Sequence, residues 1–314
     1  MICLNTRGGR RLSNDRTAGD GDCTAPERSI HKMRLSPLSL YALVLLSAVA
    51  HAAWNSLVKS ASDRLLMMGA IRLVGLTYGL VMLPFVPRPS AVTCMWLAFA
   101  TAAVFAYYGL LIHSYRIGDM SLVYPIARGT APILLALIAF LTIDERLSLF
   151  QIAAVASTSA GIFVLVVGKG GDRIAIALAF ATGVSIAAYS FFGALGVRAS
   201  AAVIGFQAWL EILTGLGMLS FIAMRRWSAI GAFARTNYRT GLLAGVLSVA
   251  GYLAYLTAAQ VLPLAPVSAL RESSVIFGAV IGATLLREGF AARRIAAAVM
   301  VTCGVAALAL AGGR

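Results

Sequence analysis

The sequence predicts an all-α integral membrane fold, ten transmembrane helices arranged as two inverted-topology repeats of five. Three observations lead there: a composition too apolar for water, ten apolar runs of bilayer length, and an internal repeat. The 314 residues are 60% apolar and 12% charged, with mean hydropathy +0.87. Soluble domains run at about 45–50% apolar and about 25% charged, and one core of this size could not hide the excess. Soluble enzymes, secreted disulfide scaffolds and disordered proteins are excluded on that ground. The net charge of +14 comes from basic residues dispersed between apolar runs, which is not the single basic face that nucleic acid needs. Cys3, Cys23, Cys94 and Cys303 show no metal-ligand or redox spacing, so no cofactor or metal is expected.

A helix needs about 20 apolar residues to cross the hydrocarbon layer. Runs of that kind occupy 38–58, 65–86, 94–115, 121–142, 148–168, 174–194, 201–224, 240–261, 265–286 and 293–311. Most connections between them are short, and the stretch from Arg225 to Arg239 is expected to be a surface loop. Residues 1–37, rich in Arg, Gly, Asp and Thr, read as a disordered tail or as an over-extended start ahead of Met33. Ala50-His51-Ala52 imitates a signal-peptide cleavage site, but the apolar run continues past it to Val58.

Shifting the chain on itself by 143 residues brings Arg128 onto Arg271, Glu145 onto Glu288 and Gly161 onto Gly304. Each Arg–Glu pair brackets one span, so the fourth and fifth spans correspond to the ninth and tenth. Two halves follow, 38–168 and 174–311. Five is odd, so the second half enters the membrane from the opposite side, a pattern found in transporters whose halves rock about a shared midplane site.

Ionisable side chains at bilayer depth are costly and so mark the protein interior and function. His51, Trp54 and Asn55 fall on one face of the first span. Arg72 and Glu211 sit mid-span in helices that the repeat makes counterparts, and are expected to meet. Arg128 follows Tyr124 by one turn, near Pro125 and Pro132, and a guanidinium there suits an anionic group. Arg271 is followed directly by Glu272; neighbours on a helix point about 100° apart, so one should face the cavity and the other a neighbouring helix. Tyr107, Tyr108, Tyr115, Tyr252 and Tyr255 are candidates for a cavity wall, and Gln207 is a further candidate one turn before Glu211. Glu145 and Glu288, at span ends, read as structural latches.

Two five-helix halves, each with a helix ending in an acidic residue (Thr142-Ile143-Asp144-Glu145-Arg146 and Leu285-Leu286-Arg287-Glu288) and then a Gly-interrupted helix, resemble the EamA-type transporters of the drug/metabolite transporter superfamily. The segment from His51 to Asn55 also resembles a subgroup associated with phosphonate-utilisation loci. The resemblance implies a multi-pass cell inner-membrane secondary transporter, not an enzyme. It would be a monomer or homodimer with both termini in the cytoplasm, moving a small-molecule solute, often outward. Related small multidrug proteins use an acidic residue in the first helix for proton exchange; the first and sixth spans here hold none, so that mechanism does not carry over. Where an ion is coupled, protons are expected, through His51, Glu211 or Glu272. The positive-inside count conflicts with the implied topology: Arg88, Arg146 and Arg198 fall inside, against a larger set outside. The alternatives are a flippase for a lipid-linked sugar and an integral-membrane enzyme, the latter disfavoured because His31, His51 and His113 do not cluster.

Overall fold

The computed structural model describes residues 36–166, 168, 172–277 and 292–311. The expectations for residues 1–35 and for Glu288 lie outside the described residues. Every described element is helical: α1 (Pro37–Ser60), α2 (Arg64–Met82) continued by a 3-10 turn (Leu83–Phe85), α3 (Ala91–Ile117), α4 (Met120–Ile143), α5 (Leu149–Val164), α6 (Arg173–Ala199), α7 (Val203–Ala259), α8 (Leu264–Arg271) and α9 (Ala292–Ala311). Among the described residues six helices, α1 to α4, α6 and α7, are long and apolar enough to cross a membrane, and α5 is a shorter apolar helix.

The starts are written in the sequence. Ser36, Asp63, Ser90 and Asp172 accept backbone N–H bonds at the first turns of α1, α2, α3 and α6, and Ser148 with Gln151 forms a reciprocal capping box on α5. Pro37 sits in the first turn of α1, where its missing N–H costs nothing. Asp144 ends α4 in the left-handed region at φ 50°, a conformation that Asp tolerates.

Two expectations need correction. The stretch 225–239 is not a loop: α7 runs through it, with one non-helical residue, Arg226 (φ −142°, ψ 26°). Ala229, Ile230 and Phe233 keep helical spacing and pack against Leu66, Met218 and Ile222, and no proline intervenes, so the helix continues past the apolar run. The expected ninth span is also not one uninterrupted helix. After Arg271 the chain makes tight i→i−3 bonds, Ser273 N–H to Leu270 O and Val275 N–H to Glu272 O, before helix resumes at 274–277.

Packing follows small residues. Along α2, Gly69, Gly75 and Gly79 meet Ile222, Glu211 and Ala208 of α7, so the two run antiparallel; α5 and α9 meet through Gly161 and Gly304. The α2 and first-half α7 pairing, the α3–α6, α1–α7 and α4–α6 pairings, and the α5–α9 pairing dominate the bundle. Connectivity then defines two ends. The upper end carries the α1–α2 and α3–α4 turns and the bend at Arg226; the lower end carries the starts of α1, α3, α5, α7 and α8.

The main core lies at the lower end. Leu40 and Val44, Leu97, Leu135, Ala194 and Val197, Phe206, Leu256 and Leu264 form one cluster of fully or almost fully buried side chains. Glu145 ties this end together. Its Oε1 accepts from the Leu264 N–H at 2.6 Å and its Oε2 lies 3.6 Å from Arg198, whose guanidinium donates to the Ala259 and Leu262 carbonyls. A carboxylate at the first turn of α8 also suits the positive end of that helix.

Candidate functional site

Above the core, the helices part around a cavity of about 880 Å³, a figure that includes its open mouth. Its lining comes from α1 to α4, α6, α7 and α8, and the lining residues of α2 and α4, Met68, Arg72, Tyr124 and Arg128, sit near the upper ends of their helices. Those of α6, α7 and α8, among them Tyr189, Glu211, Tyr252 and Arg271, sit nearer the lower end, so the space lies at mid-depth with the apolar cluster beneath it.

His51, Trp54 and Asn55 project from one face of α1 into this space. The Trp54 ring stands edge-on to His51 at 5.0 Å, and the Asn55 amide donates back to the His51 carbonyl at 2.7 Å. Arg72 and Glu211 meet as the repeat leads one to expect, Nη1 to Oε2 at 2.9 Å. Gly75 makes this approach feasible, because a Cβ there would collide with the Glu211 carboxylate.

Arg128 and Glu272 form a second ion pair, Nε to Oε2 at 3.0 Å, both almost wholly buried. The tight turn after Arg271 explains the geometry. It turns Glu272 toward α4 and leaves Arg271, one residue earlier, on the cavity wall. Arg128 also donates from Nη2 to His51 Nε2 at 2.7 Å and to Ser274 Oγ at 3.3 Å, and its guanidinium lies 5.7 Å from the Tyr124 ring. Its charge is thus already met by Glu272, whereas the sequence suggested a free anion-binding group.

Arg271 is placed differently. It lies over the faces of Tyr255 at 4.6 Å and Tyr252 at 5.5 Å, and its Nη2 is 3.4 Å from His51 Nδ1. Among the described residues no carboxylate lies within ion-pairing distance of it.

Of the sequence candidates, His51, Trp54, Asn55, Arg72, Tyr107, Tyr108, Tyr124, Arg128, Glu211, Tyr252 and Arg271 all line the cavity. Glu272 lies behind the wall, and Tyr255 is buried beneath Arg271. Gln207 is buried and spends its amide on the Val249 carbonyl, and Tyr115 is outside the lining. Sequence reasoning missed Ser47, Tyr189, Thr214 and Ser248. Tyr189 carried a signal in the sequence, since Trp54-Asn55 falls near Tyr189-Ser190 once the 143-residue alignment is adjusted by a small shift. The hydroxyl residues carried none, because small polar residues pack helices as often as they line cavities; Ser47 does both, donating to the Gly251 carbonyl.

No protein-family model matches the chain, and no curated protein matches it. Among solved structures, one described only as the crystal structure of a protein superposes with a TM-score of 0.68 over 88% of this chain and 98% of its own, at 16% identity. At that identity the likeness is one of fold.

Proposed function

We propose that this chain is a secondary transporter of the EamA type, carrying a small polar metabolite by alternating access through the cavity described above. The observation that carries the reading is the cavity itself: three guanidiniums, a carboxylate and an imidazole gathered around open space in a chain otherwise built for lipid. Such groups each cost at least about 2.5–3.5 kcal/mol at bilayer depth on insertion scales. A purely structural bundle would place leucine or alanine there.

The finer architecture belongs to the same proposal. The 57-residue α7, bent at Arg226, reads as two crossings joined outside the bilayer, since about 20 residues already span it. With α8 and its continuation as the ninth crossing and α9 as the tenth, ten spans result. The pairing of α3 with α6 and of α1 with the second half of α7 is what two inverted five-helix halves would produce, each first helix against the other half's third. The broken helix at Glu272 and Ser273 beside the cavity fits the discontinuous helices around which transporter sites are built. In this reading the packed lower end is the closed gate and the upper end the open one.

The test is flux. Purified protein in liposomes, screened with candidate metabolites with and without an imposed pH gradient, should move at least one solute faster than protein-free liposomes do, and Arg271→Ala should abolish that movement. Failure to move any solute in either condition overturns the proposal. The resemblance sets the lower end in the cytoplasm, whereas the surplus of Lys and Arg favours the upper end. One-sided labelling of Asn55→Cys in intact cells separates the two.

A further inference from the structure

We propose that the cavity selects a solute with one net negative charge, and that Arg271 is the residue that takes its anionic group. This rests on reading the cavity as the solute site.

Among the described residues the ionised groups that line or back the cavity are Arg72, Arg128 and Arg271 against Glu211 and Glu272. Arg72 has Glu211 at 2.9 Å and Arg128 has Glu272 at 3.0 Å. One guanidinium is left over. It is only 8% exposed, and among the described residues it has no carboxylate partner.

Among the described residues the polar side chain within hydrogen-bonding distance of Arg271 is His51. Guanidinium can only donate hydrogen bonds, and a neutral imidazole has a single lone pair, on one nitrogen, with the proton on the other. Arg128 lies 2.7 Å from His51 Nε2, so that nitrogen must be the acceptor. His51 Nδ1 then carries the proton and faces the Arg271 Nη2 donor across 3.4 Å, donor against donor. Among the described residues Arg271 is therefore held by the two tyrosine faces and by no acceptor. A buried cation in that condition awaits an anion, and an oxyanion placed between the two would accept from Arg271 and from His51 Nδ1 at once.

The same count excludes other charge types. A zwitterion brings an ammonium for which both carboxylates are already engaged. A dianion brings a second negative charge that would have to displace Glu211 or Glu272. A monoanion, carboxylate or singly charged phosphate ester, leaves the cavity neutral. Trp54, Tyr107, Tyr108 and Tyr189 offer aromatic surface for the uncharged remainder of such a molecule.

The test uses five phenyl compounds in four charge states on the full-length purified protein: phenylacetate and methyl phenyl phosphate as monoanions, phenylalanine, phenylacetamide and phenethylamine, with thermal unfolding in detergent as the readout. Ligand that binds the folded state raises the unfolding temperature with concentration. Phenylacetate, methyl phenyl phosphate or both should stabilise the wild type, and the two arms distinguish carboxylate from phosphate. The other three should not. Arg271→Gln should fold, because no carboxylate is orphaned by it, and should lose the anion effect; Arg271→Lys should keep it with affinity reduced about tenfold, the charge retained and the fork lost. Stabilisation by phenylalanine or phenylacetamide equal to that by the anions, an anion effect surviving in Arg271→Gln, or no effect from either anion overturns the inference. Flux is read separately in liposomes. Anion binding without flux removes the transport reading alone, while flux of a zwitterion or neutral solute without anion binding removes this one alone.

Discussion

The two ends of the bundle solve opposite problems. At the lower end α1, α3, α4, α6, α7 and α8 close on aliphatic and aromatic side chains, and the principal polar tie is Glu145, which accepts from the start of α8 and faces Arg198. Above it the same helices separate around charges, four of them met in two ion pairs and one guanidinium, Arg271, without an acceptor among the described residues. Apolar packing needs no particular partner and tolerates rearrangement at modest cost. A buried ion pair is unforgiving, because removing one member leaves the other charged in a poor solvent. The lower end can thus rearrange at less cost than the ion-paired region above it.

The largest break in this contrast should come from Glu272→Ala. Orphaning Arg128 should destabilise the folded protein by about 3–5 kcal/mol, seen as poor yield or a sharply lower unfolding temperature. Glu272→Ala as stable as the wild type would mean that the Arg128 charge is met by something other than Glu272. Next comes Gly75→Val, which pushes a side chain into the Glu211 carboxylate and should cost about 1–3 kcal/mol. Thermal unfolding again measures it, and an additional Glu211→Ala change should recover part of the volume conflict while orphaning Arg72, so the double variant should not return to wild-type stability.

At the lower end the expected effects are smaller. Glu145→Gln keeps an acceptor for the Leu264 N–H but loses the charge opposite Arg198, a change of about 0.5–1 kcal/mol. It should nevertheless speed thiol labelling of Ala194→Cys, a buried position in the apolar cluster, by several-fold. Unchanged labelling would remove Glu145 from any part in holding that end shut. Ser148→Ala, which breaks the α5 capping box on an exposed turn, should cost about 1 kcal/mol and leave that labelling rate unaltered. Both rates changing together would mean that the lower end responds to stability in general and not to Glu145.

Some of the site was legible in one dimension. The i, i+3, i+4 spacing puts His51, Trp54 and Asn55 on one face, and the repeat pairs the helices that carry Arg72 and Glu211. Adjacency on a helix already separates Arg271 from Glu272. Their roles were not legible. Arg128 and Arg271 fall on each other when the chain is shifted by 143 residues, so a sequence treats them alike, and only the turn after Arg271 hands Glu272 to Arg128 and leaves Arg271 without a carboxylate among the described residues. The helix through 225–239 escaped for another reason: reading spans from hydropathy ends a helix where polarity begins, but the backbone continues as long as propensity and packing allow.

Composition, periodicity and capping residues by themselves determined that the chain is helical and apolar and where most of its helices begin, because those choices depend on neighbours three or four residues away. Which charges meet was decided by tertiary structure alone. Arg128 reaches Glu272 across 144 positions of chain and Arg72 reaches Glu211 across 139, and whether a guanidinium finds a carboxylate or only a tyrosine face depends on distances of a few ångströms between helices that the linear order does not encode.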